Sequence, residues 1–161
     1  MDAGSTPISA AASAAIPETS KNSSVESVTT SSRRIDQQAL NAFILATGDD
    51  NPIHIVDEVA RALPKLRLTG KVVHGKLVQS VAIDLLRRSE QSLLANVLPV
   101  IMDESWKFES VVYPDDLLEV KYSRPKAPRR LASYQIEVFV TRNQKRIVVQ
   151  TGSVRALLFT S

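Results

Sequence analysis

From Asp36 onward the apolar residues recur at helical spacing, and from Val97 onward they change to the spacing of strands. Asp36 stands where a helix cap is wanted, and Ala39, Leu40, Phe43 and Ile44 share one face behind it. Gly48 ends that helix, and a polar turn follows at Asp49-Asp50-Asn51-Pro52. A short second helix is expected from Asp57 through Leu63, stopped by Pro64. A longer amphipathic helix starts near His74-Gly75 and should end near Arg87-Arg88-Ser89. Its apolar positions, Leu77, Val78, Val81, Ala82, Leu85 and Leu86, form a stripe wide enough for a helix wrapped by other elements. Val97–Met102, Ser105–Val112, Leu117–Ser123, Ala132–Thr141 and Arg146–Phe159 read as strands rich in Val, Ile, Tyr and Phe. Asn143-Gln144 is placed to turn a hairpin between the last two, and Pro114-Asp115-Asp116 makes another turn. Helices followed by an antiparallel meander make an α+β domain.

Residues 1–32 break this pattern. Ser, Thr and Ala dominate them and no aromatic occurs before Phe43, so a disordered tail is expected, with the domain at 33–161. The start does not read as a targeting segment. It lacks the basic and strongly apolar regions of a secretory signal, and its first arginine is Arg33.

Composition narrows the chemistry. The 161 residues suit one domain, and 43% are hydrophobic, enough for a core. The absence of cysteine excludes disulfides, thiolate zinc sites and a thiol nucleophile, and fits a cytoplasmic location. Two histidines make a histidine-rich metal centre improbable, and no metal is expected. No apolar run approaches the ~20 residues that span a bilayer, so no membrane partner is expected. A net charge of +3 is well short of a nucleic-acid footprint but suits a phosphate-bearing ligand or an acidic carrier protein.

The chemistry concentrates in two blocks. The first is Gly48-Asp49-Asp50-Asn51-Pro52-Ile53-His54, followed after five residues by Ala60. Pro52 stiffens this loop and Asn51 can bond its backbone, so Asp49 and His54 keep a fixed separation. The second is Val73-His74-Gly75-Lys76-Leu77. Together they resemble the MaoC-like family of (R)-specific enoyl-CoA hydratases and 3-hydroxyacyl-thioester dehydratases. Its signature reads Gly-Asp-x-Asn-Pro-aliphatic-His-x5-small, with an aliphatic-His-Gly-x-Leu entry to the central helix. The resemblance covers residues ~35–160, by motif in these two blocks and by layout elsewhere.

The resemblance implies a hot-dog fold, a long helix wrapped by a curved antiparallel sheet. It implies reversible hydration of trans-2-enoyl thioesters to (3R)-hydroxyacyl thioesters, as in fatty acid metabolism. Asp49 and His54 would hold the water and move the proton, and the Gly75 N–H would bind the thioester oxygen. No metal or redox cofactor is needed. The substrate would arrive on CoA or an acyl-carrier protein, and the protein would be a homodimer joined edge to edge. Asp50 reads as a solvated loop acid and His74 as a packed or capping residue. The basic stretch holding Arg124, Lys126, Arg129 and Arg130 is either a solvated loop or a contact to a carrier's phosphates or acids.

Three positions depart from the family pattern. Pro114-Asp115-Asp116 replaces the usual Pro-Gly-Asp, which suggests a turn of another type. Ile83 stands where small residues are common and should shorten the acyl pocket, and Lys76 replaces an apolar residue. A hot-dog thioesterase and a non-catalytic acyl-thioester-binding module are the alternative readings.

Overall fold

The computed structural model describes residues 25–94, 97–126 and 130–160. Its elements in chain order are β1 (Val25–Thr29), β2 (Arg33–Arg34), α1 (Gln37–Thr47), α2 (Asp57–Arg61), α3 (Gly75–Leu93), β3 (Val97–Phe108), β4 (Leu117–Pro125), β5 (Leu131–Arg142) and β6 (Lys145–Thr160). One antiparallel sheet runs β1-β4-β5-β6-β3, with β2 paired to β4 beside β1. This sheet packs around α3 in the hot-dog arrangement. No helix among the described residues is long and apolar enough to cross a membrane.

The local signals work as their chemistry requires. The Asp36 carboxylate accepts from Ala39 N at 2.9 Å and caps α1. Gly48 closes α1 with φ at +71°, a conformation glycine takes without steric cost. Asn143 and Gln144 both have positive φ, as a two-residue hairpin between right-twisted strands demands. Asp115 also adopts a left-handed φ, +70°. The aspartate itself thus takes a conformation that favours glycine. Its N–H is anchored on Ile35 O at 2.8 Å, and the Asp116 carboxylate accepts from Tyr113 N at 2.8 Å.

The core lies between α3 and the concave face of the sheet. Val78, Ala82 and Leu86 of α3 are essentially inaccessible, as are Leu118 and Val120 of β4 and Ile136 and Val138 of β5. Each fully buried side chain of this size contributes about 1.5–3 kcal/mol of burial free energy. The helix runs a turn beyond its expected end at Arg87-Arg88-Ser89. Glu90, fully buried, is the reason. It accepts from the Tyr122 hydroxyl at 2.9 Å and the Tyr134 hydroxyl at 3.0 Å, and Arg124 Nε lies 3.3 Å from it. Burial, together with the Glu90 charge, pushes both phenols above their ordinary range, so both remain donors.

Two strand expectations are corrected. The segments Val97–Met102 and Ser105–Val112 are not separate strands: β3 runs from Val97 to Phe108, with an irregularity between Ile101 and Asp103. An extra residue at a bulge shifts the alternation, which in sequence looks like a break. The tail reading of 1–32 also fails over its last part. Val25–Thr29 pairs with β4, from Val25 opposite Pro125 to Thr29 opposite Lys121. Thr30 continues the contact, donating its N–H to Val120 O at 2.9 Å and accepting from Val120 N at 3.1 Å through Oγ1. A polar strand such as Val-Glu-Ser-Val-Thr buries little, so its composition resembles a tail. Residues 1–24 lie outside the described residues.

Deleting residues 1–32 should therefore strip a strand from β4 and lower the melting temperature by about 5 °C or more. Thermal unfolding of the full and shortened chains measures this. An unchanged transition would mean that β1 contributes nothing to stability.

Candidate active site

The loop that leaves α1 is short and tied down at nearly every residue. Asn51 Oδ1 accepts from Ile53 N at 3.2 Å and caps a single turn of 3-10 helix, Pro52–His54, with Pro52 in its first position. That turn is sewn to the strand-like segment before α3 by two bonds. Val72 N donates to Ile53 O at 3.1 Å, and His54 Nδ1 bonds Val72 O at 2.8 Å.

The second bond decides the state of His54. A carbonyl only accepts, so Nδ1 carries the proton, and the neutral ring presents Nε2 as a free base. Burial lowers the His54 pKa, opposed by the bond to Val72 and reinforced by the neighbouring His74. The Asp49 charge raises it, but not enough to reverse the shift.

His74 ends the segment before α3 and is almost completely buried. Its Nε2 donates to the backbone oxygen of Asp49 at 2.9 Å and lies 3.9 Å from Asp49 Oδ2. Its ring stacks on His54 with centroids 3.8 Å apart, and Phe43 of α1 packs against it at 4.9 Å. His74 therefore links the two sequence blocks: it holds the Asp49 backbone and supports the His54 ring. The expected packing role is seen, while its side chain makes no helix cap. The positioning role could not be read from the sequence, because its acceptor lies in another block.

One donor atom from each of Asp49, His54 and His74 lies within 4.8 Å of the other two. A water about 2.8 Å from each of two such groups fits that span. The Asp49 carboxyl is half-exposed, open to an incoming water, and Asp50 beside it is exposed. Among the described residues the same three also form a group spaced for a metal ion. The rings do not suit that use. They are stacked nearly parallel, at 27°, so their in-plane lone pairs do not converge on one point.

Gly75 opens α3, and no side chain caps its first turn. The N–H groups there lack intrahelical acceptors and lie at the positive end of the helix dipole. A Cβ on Gly75 would collide with the Phe108 ring, so the glycine is what lets that ring pack against the start of α3. Gln150 of β6 donates from Nε2 to Gly75 O at 3.2 Å. Nothing in the sequence singled out Gln150 or Phe108, which are 75 and 33 positions away along the chain.

The described residues of the basic stretch do not join this site. Arg124 is buried against Glu90 and cannot reach out to a carrier phosphate, which corrects the expectation for that residue. Its contact with Glu90 puts the stretch beside the far end of α3, roughly 22 Å along the axis from Gly75 at 1.5 Å per residue. Lys126 and Arg130 are exposed there, and Arg129 lies outside the described residues.

Residues 17–147 match the family described as the MaoC like domain, a span that begins well before residue 33. No curated protein matches the chain. Among solved structures, the (R)-hydratase from A. caviae involved in PHA biosynthesis is similar with a TM-score of 0.65 and 19% identity, over 82% of this chain and 93% of that one. The monoamine oxidase regulatory protein of Archaeoglobus gives 0.65 and 21%, over 84% and 90%. The MaoC-like dehydratase from Rhodospirillum rubrum gives 0.63 and 20%, over 84% and 92%. At these identities the structural likeness establishes the fold.

In an NMR titration His54 should show a pKa below the ordinary imidazole value of 6.5, with Nε2 as the unprotonated nitrogen at neutral pH. Asp49→Asn should lower it further, since the lost negative charge favoured the imidazolium. A value above 6.5 would contradict the assignment of His54 as a free base.

Proposed function

The chain belongs to the MaoC-like domain family, and on that premise we propose that it is a hydro-lyase interconverting trans-2-enoyl and (3R)-hydroxyacyl thioesters carried on CoA or an acyl-carrier protein. One observation carries the reading: a neutral His54 with Nε2 free stands beside the Asp49 carboxylate, at the start of a helix whose first N–H groups are uncapped.

The chemistry follows from these groups. In hydration, a water held by Asp49 and His54 adds its oxygen to C3, and the pair takes one proton from it. The double-bond electrons move toward the thioester, whose oxygen gains charge against the Gly75 N–H. A proton returned to C2 completes addition of H and OH. Dehydration is the reverse. The lowered pKa keeps His54 unprotonated at neutral pH, as a general base requires. No step calls for a metal or redox cofactor.

The assembled protein should be a homodimer. Among the described residues β3 ends the sheet and is hydrogen-bonded to β6 along one side only. Leu98, Val100, Met102 and Phe108 are exposed along it. An open edge with exposed apolar side chains favours association, and a second copy would offer the same edge by symmetry. The half-exposed Asp49 also leaves the water position open, and a partner would help to exclude bulk solvent.

Asp49→Ala and His54→Ala should each lower kcat on crotonyl-CoA by ~10²–10⁴, with the double variant little worse than either, since both act on one water. Asp50→Ala should keep near-normal rates. Absorbance at the enoyl band follows the reaction. Normal turnover in both single variants, or equal damage from Asp50→Ala, would remove the catalytic assignment. A separate prediction concerns assembly: Val100→Lys with Met102→Lys should shift the protein from dimer to monomer in sedimentation experiments and lower turnover at least about tenfold, since like charges on facing edges repel. A dimer unaffected by both lysines would place the interface elsewhere.

A further inference from the structure

A cavity of about 340 Å³ lies beside the first turn of α3. Val73, Val78, Val112 and Phe108 make much of its wall, and Gly75, Gln150, Glu109 and Ser110 line it as well. Gln150 is 2% exposed. Its amide orientation is set by chemistry: Gly75 O can only accept, so Nε2 faces it and Oε1 is the other atom. That Oε1 is buried and has no hydrogen-bond partner among the described residues. Leaving a buried acceptor unpaired is unfavourable. An amide kept in that condition on the wall of a cavity, bonded to the very residue proposed to bind the thioester, calls for a donor from a ligand.

We infer that Gln150 is a specificity residue whose Oε1 accepts a hydrogen bond from an N–H or O–H group of the substrate close to the thioester. The inference rests on the proposed function. Two parts of such a substrate carry a suitable donor. One is the amide N–H two methylenes from sulfur in the pantetheine arm, common to CoA and carrier-protein substrates. The other is the 3-hydroxyl of the hydroxyacyl form. We take the arm amide as the donor, because Val73, Val78 and Val112 give its two methylenes an apolar wall on the way to Gln150. Gln150 thereby reads the carrier while its Nε2 fixes the Gly75 peptide.

The test compares thioesters that differ in these donors. Crotonyl-CoA and crotonyl-N-acetylcysteamine carry the arm amide, whereas S-propyl thiocrotonate has no donor, and S-propyl (3R)-hydroxythiobutyrate has only the hydroxyl. With Gln150→Met, loss of the bond to Gly75 should lower kcat/KM on every ester, and the two amide-bearing substrates should lose about tenfold more than S-propyl thiocrotonate, as expected for one further lost hydrogen bond. Gln150→Glu keeps an acceptor but cannot donate to Gly75, so it should preserve the preference for amide-bearing substrates even if rates fall throughout. It also serves if the Met variant does not fold. An extra loss confined to the hydroxybutyrate ester would support the inference with the hydroxyl as donor. An equal loss on every ester in the Met variant, with the preference abolished in Gln150→Glu, would overturn it and leave Gln150 as support for Gly75. No loss on any ester would also overturn it. Both outcomes leave the proposed function standing, provided the unaltered protein turns over enoyl thioesters. If that protein turns over none of them, the proposed function falls and the inference with it.

Discussion

The burial of one helix inside one sheet is the constraint on which the rest of this protein depends. α3 is held along its length by side chains from β4, β5 and β6, and its ends are pinned by different means. At the far end, Glu90 gathers Tyr122, Tyr134 and Arg124. Removing one partner from such a buried pair typically costs about 3–5 kcal/mol, while an apolar replacement of the whole cluster can be neutral. Its value is therefore in register: a misplaced α3 would leave a charge buried without its partner. At the near end, Gly75 sits between Phe108 and Gln150. With both ends fixed, the uncapped first turn of α3 points at one place relative to the loop that carries Asp49 and His54.

That loop is positioned mainly by backbone acceptors. Val72 O orders His54, and Asp49 O orders His74. A carbonyl cannot donate, so each bond selects one tautomer. The proton positions on the two rings thus follow from chain path alone. Stacking the rings 3.8 Å apart has an electrostatic consequence as well. Burial chiefly favours a neutral His54, and a charge on the neighbouring imidazole would disfavour its protonation further. Base strength and tautomer, the two properties that catalysis by imidazole requires, both arise from how two loops cross.

The same crossing leaves the site incomplete on one side. Asp49 is half-exposed, Phe108 is largely exposed, and β3 presents an edge unpaired among the described residues. These features share a physical origin. A single sheet can cover one helix, but the outer strand and the loop beyond the helix start have no second layer of their own.

The sequence by itself determined whatever depends on neighbours a few residues apart. The Asp36 cap, the Gly48 stop, the Asn143-Gln144 hairpin and the apolar stripe of α3 all act within one or two turns of chain. The pairing of Asp49 with His54 was legible for the same reason, since Asn51 and Pro52 between them make a rigid loop. Resemblance to a family carried the fold further than spacing could. Only the tertiary structure decided the rest. A polar strand at 25–29 looks like a tail until β4 supplies its hydrogen bonds. Arg124 looks like an exposed cation until Glu90, 34 positions earlier, draws it inside. His74 and Gln150 gain their roles from acceptors on other elements. Local pattern reports which face of an element is apolar, whereas the partner of a polar group is set by chain crossings between residues far apart in sequence, which no short-range pattern encodes.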